Sequence, residues 1–150
     1  MLSQDFLDLL ELFNQHEVRY LIVGGHAVSV YTEPRYTKDL DLWIERNTTN
    51  ASKILKAIDD FGFSSMALTV EDFTAPKFVV QLGVEPVRID LLTDVADLDF
   101  ADCWTRRLEI VLSETRATLI GLDDLIKTKE RACRPRDLAD LYDLRRRQSP

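Results

Sequence analysis

The chain has 150 residues, enough for one domain (1–150) with a sizeable core. It carries 19 Lys and Arg against 26 Asp and Glu, a net charge of −7, which argues against a strong non-specific nucleic-acid binder. Hydrophobic residues make up 45%, an ordinary share for a globular protein, and no apolar run approaches the length that crosses a membrane.

The charge is uneven. Residues 1–100 carry 17 acids and 8 bases, whereas residues 101–150 carry 9 acids and 11 bases. The first residues, Met1-Leu2-Ser3-Gln4-Asp5, lack the basic start and apolar stretch of a secretory signal. Cys103 and Cys133 show no metal-binding spacing and read as reduced thiols. A cytoplasmic location is therefore expected, with no membrane partner.

In chain order, Ser3 to Gln15 predicts an amphipathic helix, with Phe6, Leu9, Leu10 and Phe13 on one face. Arg19 to Val23 predicts a short strand, and Gly25 to Tyr31 a helix that cannot continue through Pro34. Leu40 to Glu45 predicts a second strand. Ala51 to Phe61 predicts a helix capped by Thr48, Thr49 or Asn50 and stopped by Gly62. The centre reads as strand-rich: Met66 to Val70, Lys77 to Leu82 and Val87 to Leu92, the last two joined by a turn at Gly83–Pro86. A short helix is expected from Asp97 to Cys103, and edge strands at Leu108 to Leu112 and Ala117 to Ile120. Two helices follow, Leu122 to Ala132 and Pro135 to Arg147, with Asp123-Asp124 as a candidate cap for the first. Strands interleaved with helices make this an α/β (α+β) domain.

The chemistry concentrates between Tyr20 and Trp43. An apolar strand enters Gly24-Gly25, a helix and loop follow, and a second strand carries Asp39 and Asp41. Side chains two apart on a strand share a face, so the two carboxylates point the same way and Leu40, Leu42 and Ile44 point to the other. Neighbouring carboxylates repel unless a cation lies between them. A hard divalent ion such as Mg²⁺ takes oxygen ligands, commonly carboxylates plus substrate phosphates. Glycines ahead of a helix leave backbone N–H groups free for a phosphate. The combination points to nucleotide chemistry. Taken alone, Asp39, Asp41 and Glu45 could equally be the solvent face of a strand, and Trp43 a half-buried aromatic beside it.

Val23-Gly24-Gly25, a spacer, and Asp39-Leu40-Asp41 resemble the signature of the nucleotidyltransferase superfamily with the DNA polymerase beta fold. The segment Lys129 to Leu141 is similar to the tail of small bacterial members, including the AbiEii-type toxin nucleotidyltransferases. The resemblance implies a mixed, twisted central sheet flanked by helices. It implies transfer of an NMP from an NTP to a hydroxyl acceptor with release of pyrophosphate, using two Mg²⁺ ions, with Mn²⁺ as an alternative. It assigns Asp39, Asp41 and Asp90 as catalytic and metal-binding residues. Gly24, Gly25, Arg35, Lys129 and Asp137 would form the nucleotide-binding set. The second position of the Gly-Gly element is often Ser in the family, so phosphate contacts here would rest on backbone N–H groups.

Several of these residues have a second reading. Asp90 could pair structurally with Arg88 or Arg35 instead of serving as base or metal ligand. Arg35 could lock its loop, and Asp137 could be a favourable charge at a helix N-terminus, or hold Lys129 or an arginine in place. Lys127 reads as a surface charge, and His16 and His26 are too isolated for a metal cluster. The acceptor stays open: RNA such as a tRNA end, a protein hydroxyl, an antibiotic or a small metabolite. Partners implied are the NTP, that acceptor, and either an antitoxin or a second copy of the chain. The alternative to an enzyme is a non-catalytic or partner-inhibited module of a toxin–antitoxin pair, and a weaker alternative is a metal-dependent phosphohydrolase.

Overall fold

A computed structural model describes residues 2–34, 39–63, 67–84 and 86–148. The elements in order are α1 (Gln4–Gln15), β1 (Tyr20–Val23), α2 (Gly24–Tyr31), β2 (Asp39–Ile44), α3 (Thr48–Phe61), α4 (Val70–Thr74), β3 (Val79–Leu82), β4 (Arg88–Leu92), α5 (Phe100–Thr105), β5 (Leu108–Leu112), β6 (Thr115–Leu119), α6 (Leu122–Ala132) and α7 (Pro135–Gln148).

The six strands form one mixed sheet in the order β3-β4-β2-β1-β6-β5. β2 and β4 run parallel, as do β1 and β6, and the remaining neighbours are antiparallel. β1 has all four residues buried, as expected of a short strand in the middle of a covered sheet. The expected α/β class and mixed sheet are therefore present. α1 packs on α3 and β6, and α3 on α4, while α2 packs on β1 and β2 and against α6 and α7.

Local chemistry sets the element ends. Ser3 caps α1 by accepting from the Phe6 N–H at 3.3 Å. Phe6, Leu9, Leu10 and Phe13 then lie buried along one stripe of that helix. α3 is capped by Asn47, which accepts from the Asn50 N–H at 2.7 Å, and ends at Gly62 in the left-handed region at φ +101°. Asn50 itself is buried and ties three backbones together. It accepts from Arg19 N–H at 2.8 Å and donates to the carbonyls of Arg19 at 3.1 Å and Glu45 at 2.8 Å.

Four expectations need correction. The cap of α3 is Asn47, and Thr48, Thr49 and Asn50 lie inside the helix. No strand forms over the described part of the expected Met66–Val70 segment, residues 67–70, and helix α4 begins at Val70. Thr69 and Asp72 form a reciprocal capping box there, and Phe73 is wholly buried beneath it. β6 is an interior strand, because Ile22 pairs in parallel with Leu119 and Thr118 donates to the Tyr20 carbonyl. The cap of α6 is Gly121, not the acidic pair. Asp124 is buried and holds the Arg106 guanidinium through two hydrogen bonds of 2.9 and 3.1 Å. Among the described residues, no helix is long and apolar enough to cross a membrane. Cys103 and Cys133 are both free thiols.

Candidate active site

β2 and β4 bring the acidic residues together. Their parallel register sets Asp39 beside Arg88 and Asp41 beside Asp90. Residues paired side by side point to the same face, so four charged side chains form a two-by-two block. On the opposite face Leu40, Leu42 and Leu91 are fully buried. That burial pins the register, since a one-residue slip would drive the acids into the core. Trp43 shares the acidic face but is buried at the far end of β2, edge-on to Phe100 with centroids 5.1 Å apart. It belongs to the core and not to the site.

β1 delivers the glycines. Val23 pairs with Asp41, and the chain then turns directly into α2 at Gly24. Gly24 has φ +70°, a conformation that side-chain-bearing residues rarely adopt. A β-carbon there would overlap Oδ2 of Asp41 and come within 3.2 Å of its Cγ. Among the described residues no side chain caps α2, which leaves the N–H groups of its first turn available beside Asp41.

α6 and the start of α7 close the other side. Lys129 is buried and lies between two carboxylates of α7, 3.3 Å from Asp137 and 3.1 Å from Asp140. Asp137 has no exposed surface and accepts three hydrogen bonds from Arg134, through its backbone N–H at 3.0 Å, Nε at 2.8 Å and Nη2 at 3.3 Å. Asp137 lies in the first turn of α7, as a favourable charge at a helix N-terminus would, and it also holds Lys129 and Arg134. Arg134 keeps about half of its side chain exposed and acts electrostatically on Asp41. Val23, Gly24, Asp41, Lys129, Arg131 and Arg134 line a cavity of about 360 Å³. A larger groove of about 700 Å³ lies elsewhere, bordered by Asp5, Asp8, Glu11 and Asp60. Its charge would repel a triphosphate, so size does not identify the site.

Electrostatics mark the centre of the block. Burial first, and then the charges of Asp90 and Asp39, push the Asp41 carboxyl up to about 6, against the pull of Arg88 and Lys129. Arg88 grips Asp90 with two hydrogen bonds of 3.0 Å and reaches Asp39 at 3.9 Å. This is the structural pairing that formed the second reading of Asp90. Among the described residues, no three carboxylate, imidazole or thiolate groups form a ready metal cage. The donor chemistry of the Asp39–Asp41 pair nonetheless fits a hard divalent cation. Asp39 and Asp41 offer carboxylate oxygens two residues apart on β2, and Asp41 is crowded by the negative charges of Asp90 and Asp39. Each oxygen of Asp90 also retains lone-pair capacity beyond its one bond from Arg88.

Of the residues expected from sequence, Asp39, Asp41, Asp90 and Gly24 meet directly, Gly25 follows in the first turn of α2, and Lys129 lines the same cavity. Arg35, with Thr37 and Lys38, lies outside the described residues. The sequence reading passed over Arg134 and Asp140. The i, i+3 spacing of Arg134, Asp137 and Asp140 was the available signal, since it places all three on one side of the helix start.

A mixed sheet that sets paired strand carboxylates against a glycine-led helix defines a nucleotidyltransferase fold and an enzyme of that class. The chain belongs to the family described as nucleotidyl transferase of unknown function (DUF2204), whose model matches residues 3–149. A candidate nucleotidyltransferase from Thermotoga maritima superposes with a TM-score of 0.63 at 11% identity, covering 95% of this chain and 93% of that one. The lincosamide antibiotic adenylyltransferase LnuA, in a lincomycin-bound structure, gives a TM-score of 0.56 at 14% identity, covering 97% of each chain. An antigenic nucleotidyltransferase-like protein from Paracoccidioides brasiliensis gives 0.54 at 15% identity, covering 95% of this chain and 77% of that one. At these identities the likeness is one of fold. No curated protein matches the chain at a significant level.

Proposed function

We propose that the protein transfers a nucleoside monophosphate from an NTP to a hydroxyl acceptor and releases pyrophosphate. The observation that carries this reading is the contact of Gly24 with Asp41, which sets an uncapped helix start against a carboxylate pair. The first turn of α2 would take the β- and γ-phosphates on backbone N–H groups. Arg134, with Lys129 behind it, would supply positive charge along the wall of the cavity.

Asp39 and Asp41 would hold the divalent metal, Mg²⁺ in this reading with Mn²⁺ as an alternative, and Asp90 would add a further oxygen. A bound divalent ion neutralises phosphoryl charge and lowers the pKa of a coordinated hydroxyl. Asp90, oriented by Arg88, receives the acceptor's proton. The acceptor oxygen bonds to the α-phosphorus, the bond from that phosphorus to the bridging oxygen breaks, and pyrophosphate leaves. Alignment of the triphosphate by fixed groups supplies much of the acceleration.

The test is incubation with each α-labelled NTP, Mg²⁺ and cell extract. Label should move to an acceptor with stoichiometric pyrophosphate, and Asp41→Asn should abolish transfer. Release of inorganic phosphate without transfer would instead indicate a phosphohydrolase.

A second reading draws on the exposed Leu138 and Tyr142, which leave an apolar strip on α7 beside Arg145 and Arg146. In this reading a protein partner covers the strip and holds the enzyme inactive, as the AbiEii-type resemblance suggests. Copurification of a neighbouring gene product that suppresses label transfer would support it. Unchanged transfer in that complex would exclude it.

A further inference from the structure

We infer that His26 is a positioning residue for Asp39, donating from Nε2 to Oδ1 of that carboxylate when the metal site is filled. This rests on the reading of Asp39 as a metal ligand.

Three buried side-chain polar atoms lack a hydrogen-bond partner among the described residues: Nε2 of His26, Oδ1 of Asp39 and Nε of Arg107. Arg107 has a local explanation. Its guanidinium lies over the Trp104 ring at 4.0 Å, and its other nitrogens bond the Trp104 carbonyl and Glu109. The other two have no such explanation among the described residues. An orphaned buried polar atom is costly, so two on elements that pack together call for a common cause.

They occur on elements that pack together. His26 is in the first turn of α2, which lies on β2, and its imidazole is within electrostatic reach of Asp39. The two atoms are chemically complementary. A carboxylate only accepts, and a neutral imidazole can carry its proton on Nε2. Phe6 holds the ring edge-to-face, with centroids 5.7 Å apart and planes at 89°, which restricts how the imidazole can turn.

Asp39 is also split in a telling way. Oδ2 faces Arg88, with Nε at 3.9 Å, on the charged side of the block, whereas Oδ1 is the buried atom. One oxygen therefore faces Arg88 and the other is shielded from solvent. Carboxylates that ligate metals are commonly oriented by such a donor behind them, and loss of the donor typically costs ten- to a hundredfold in metal affinity or activity.

The experiment measures Mn²⁺ affinity of the full chain from the EPR signal of free Mn²⁺. His26→Phe should weaken binding about ten- to a hundredfold, whereas His26→Gln, whose amide nitrogen can replace Nε2, should stay within about threefold of the natural chain. In an Asp39→Asn background, His26→Phe should change nothing further. Melting of the metal-free variants serves as the control for a merely structural role. Should His26→Phe fail to fold, ¹⁵N-histidine NMR of the natural chain decides. The chain has two histidines, and Mg²⁺ should shift the Nε2 resonance of His26 to that of a hydrogen-bonded N–H while leaving His16 unmoved. Equal Mn²⁺ affinity in His26→Phe, or an Nε2 resonance indifferent to saturating Mg²⁺, would overturn the assignment of His26 alone. No Mn²⁺ binding by the natural chain would overturn the metal site itself.

Discussion

Gly24 and Asp41 touch so closely that no β-carbon fits between them. The contact joins the end of β1 to the middle of the acidic face of β2, so the backbone that would grip a phosphate and the carboxylate that would grip a metal are fixed relative to each other. Gly24→Ala meets two penalties, the positive φ and the overlap with Asp41. Asp41 must then move. Nucleotide transfer should fall at least a hundredfold, while thermal unfolding shows a loss of only about 1–3 kcal/mol. Near-normal transfer by the variant would remove the helix start from the site.

Asp41 predicts a pH dependence in the metal-free protein. Its carboxyl is raised to about 6 in the fold, above the ordinary value of 3.8. Between these values the folded chain binds more protons than the unfolded chain. Stability should therefore fall as pH rises from about 4 to about 6 and level off above that. Allowing for partial exposure, the contribution is about 2 kcal/mol. In EDTA at pH 8, Asp41→Asn should melt higher than the natural chain, and the difference should shrink towards pH 4. Mg²⁺ should raise the melting temperature of the natural chain more than that of the variant.

The Lys129–Asp137–Asp140 cluster predicts the opposite sign. Burial pushes the Asp137 carboxyl up, but hydrogen bonds from Arg134 and then Lys129 outweigh it and hold it down at about 2. Its stabilising contribution is complete above about pH 4 and is lost as pH falls towards 2. Asp137→Ala leaves Lys129 with Asp140 alone and should cost about 3 kcal/mol in urea unfolding at pH 7. A loss below about 1 kcal/mol would show that the buried cluster does not hold α6 to α7.

Arg134 should separate binding from folding. Its side chain is about half exposed, yet it borders the cavity and acts on Asp41. Arg134→Ala is expected to raise the KM for NTP about tenfold or more through loss of a charge-assisted phosphate contact. Arg116→Ala, remote on β6, should leave KM unchanged. Equal KM values for both variants would place the triphosphate elsewhere.

Local patterns made much of this site readable. The two-residue period of Asp39 and Asp41 and the glycines ahead of a helix are short-range signals, and both survive in the fold. Asp90 follows from the family resemblance, supported by the need of an acid within an apolar strand for a partner. Its bond to Arg88 depends on side-chain geometry that spacing alone leaves open. The apolar character of the segment before Val70 suits a strand, whereas Thr69 and Asp72 cap a helix that starts at Val70. β6 looked like an edge because its partner β1 lies nearly a hundred residues away in sequence. Asp140 escaped notice because buried ion pairs depend on how two helices meet, not on either helix alone.

The most direct measurement compares α-labelled and γ-labelled NTP in the same reaction with cell extract and Mg²⁺. The account predicts that α-label becomes attached to an acceptor while γ-label appears in pyrophosphate, and that Asp39→Asn and Asp41→Asn each abolish both. Transfer that persists in those two variants, or γ-label released as inorganic phosphate, would contradict it.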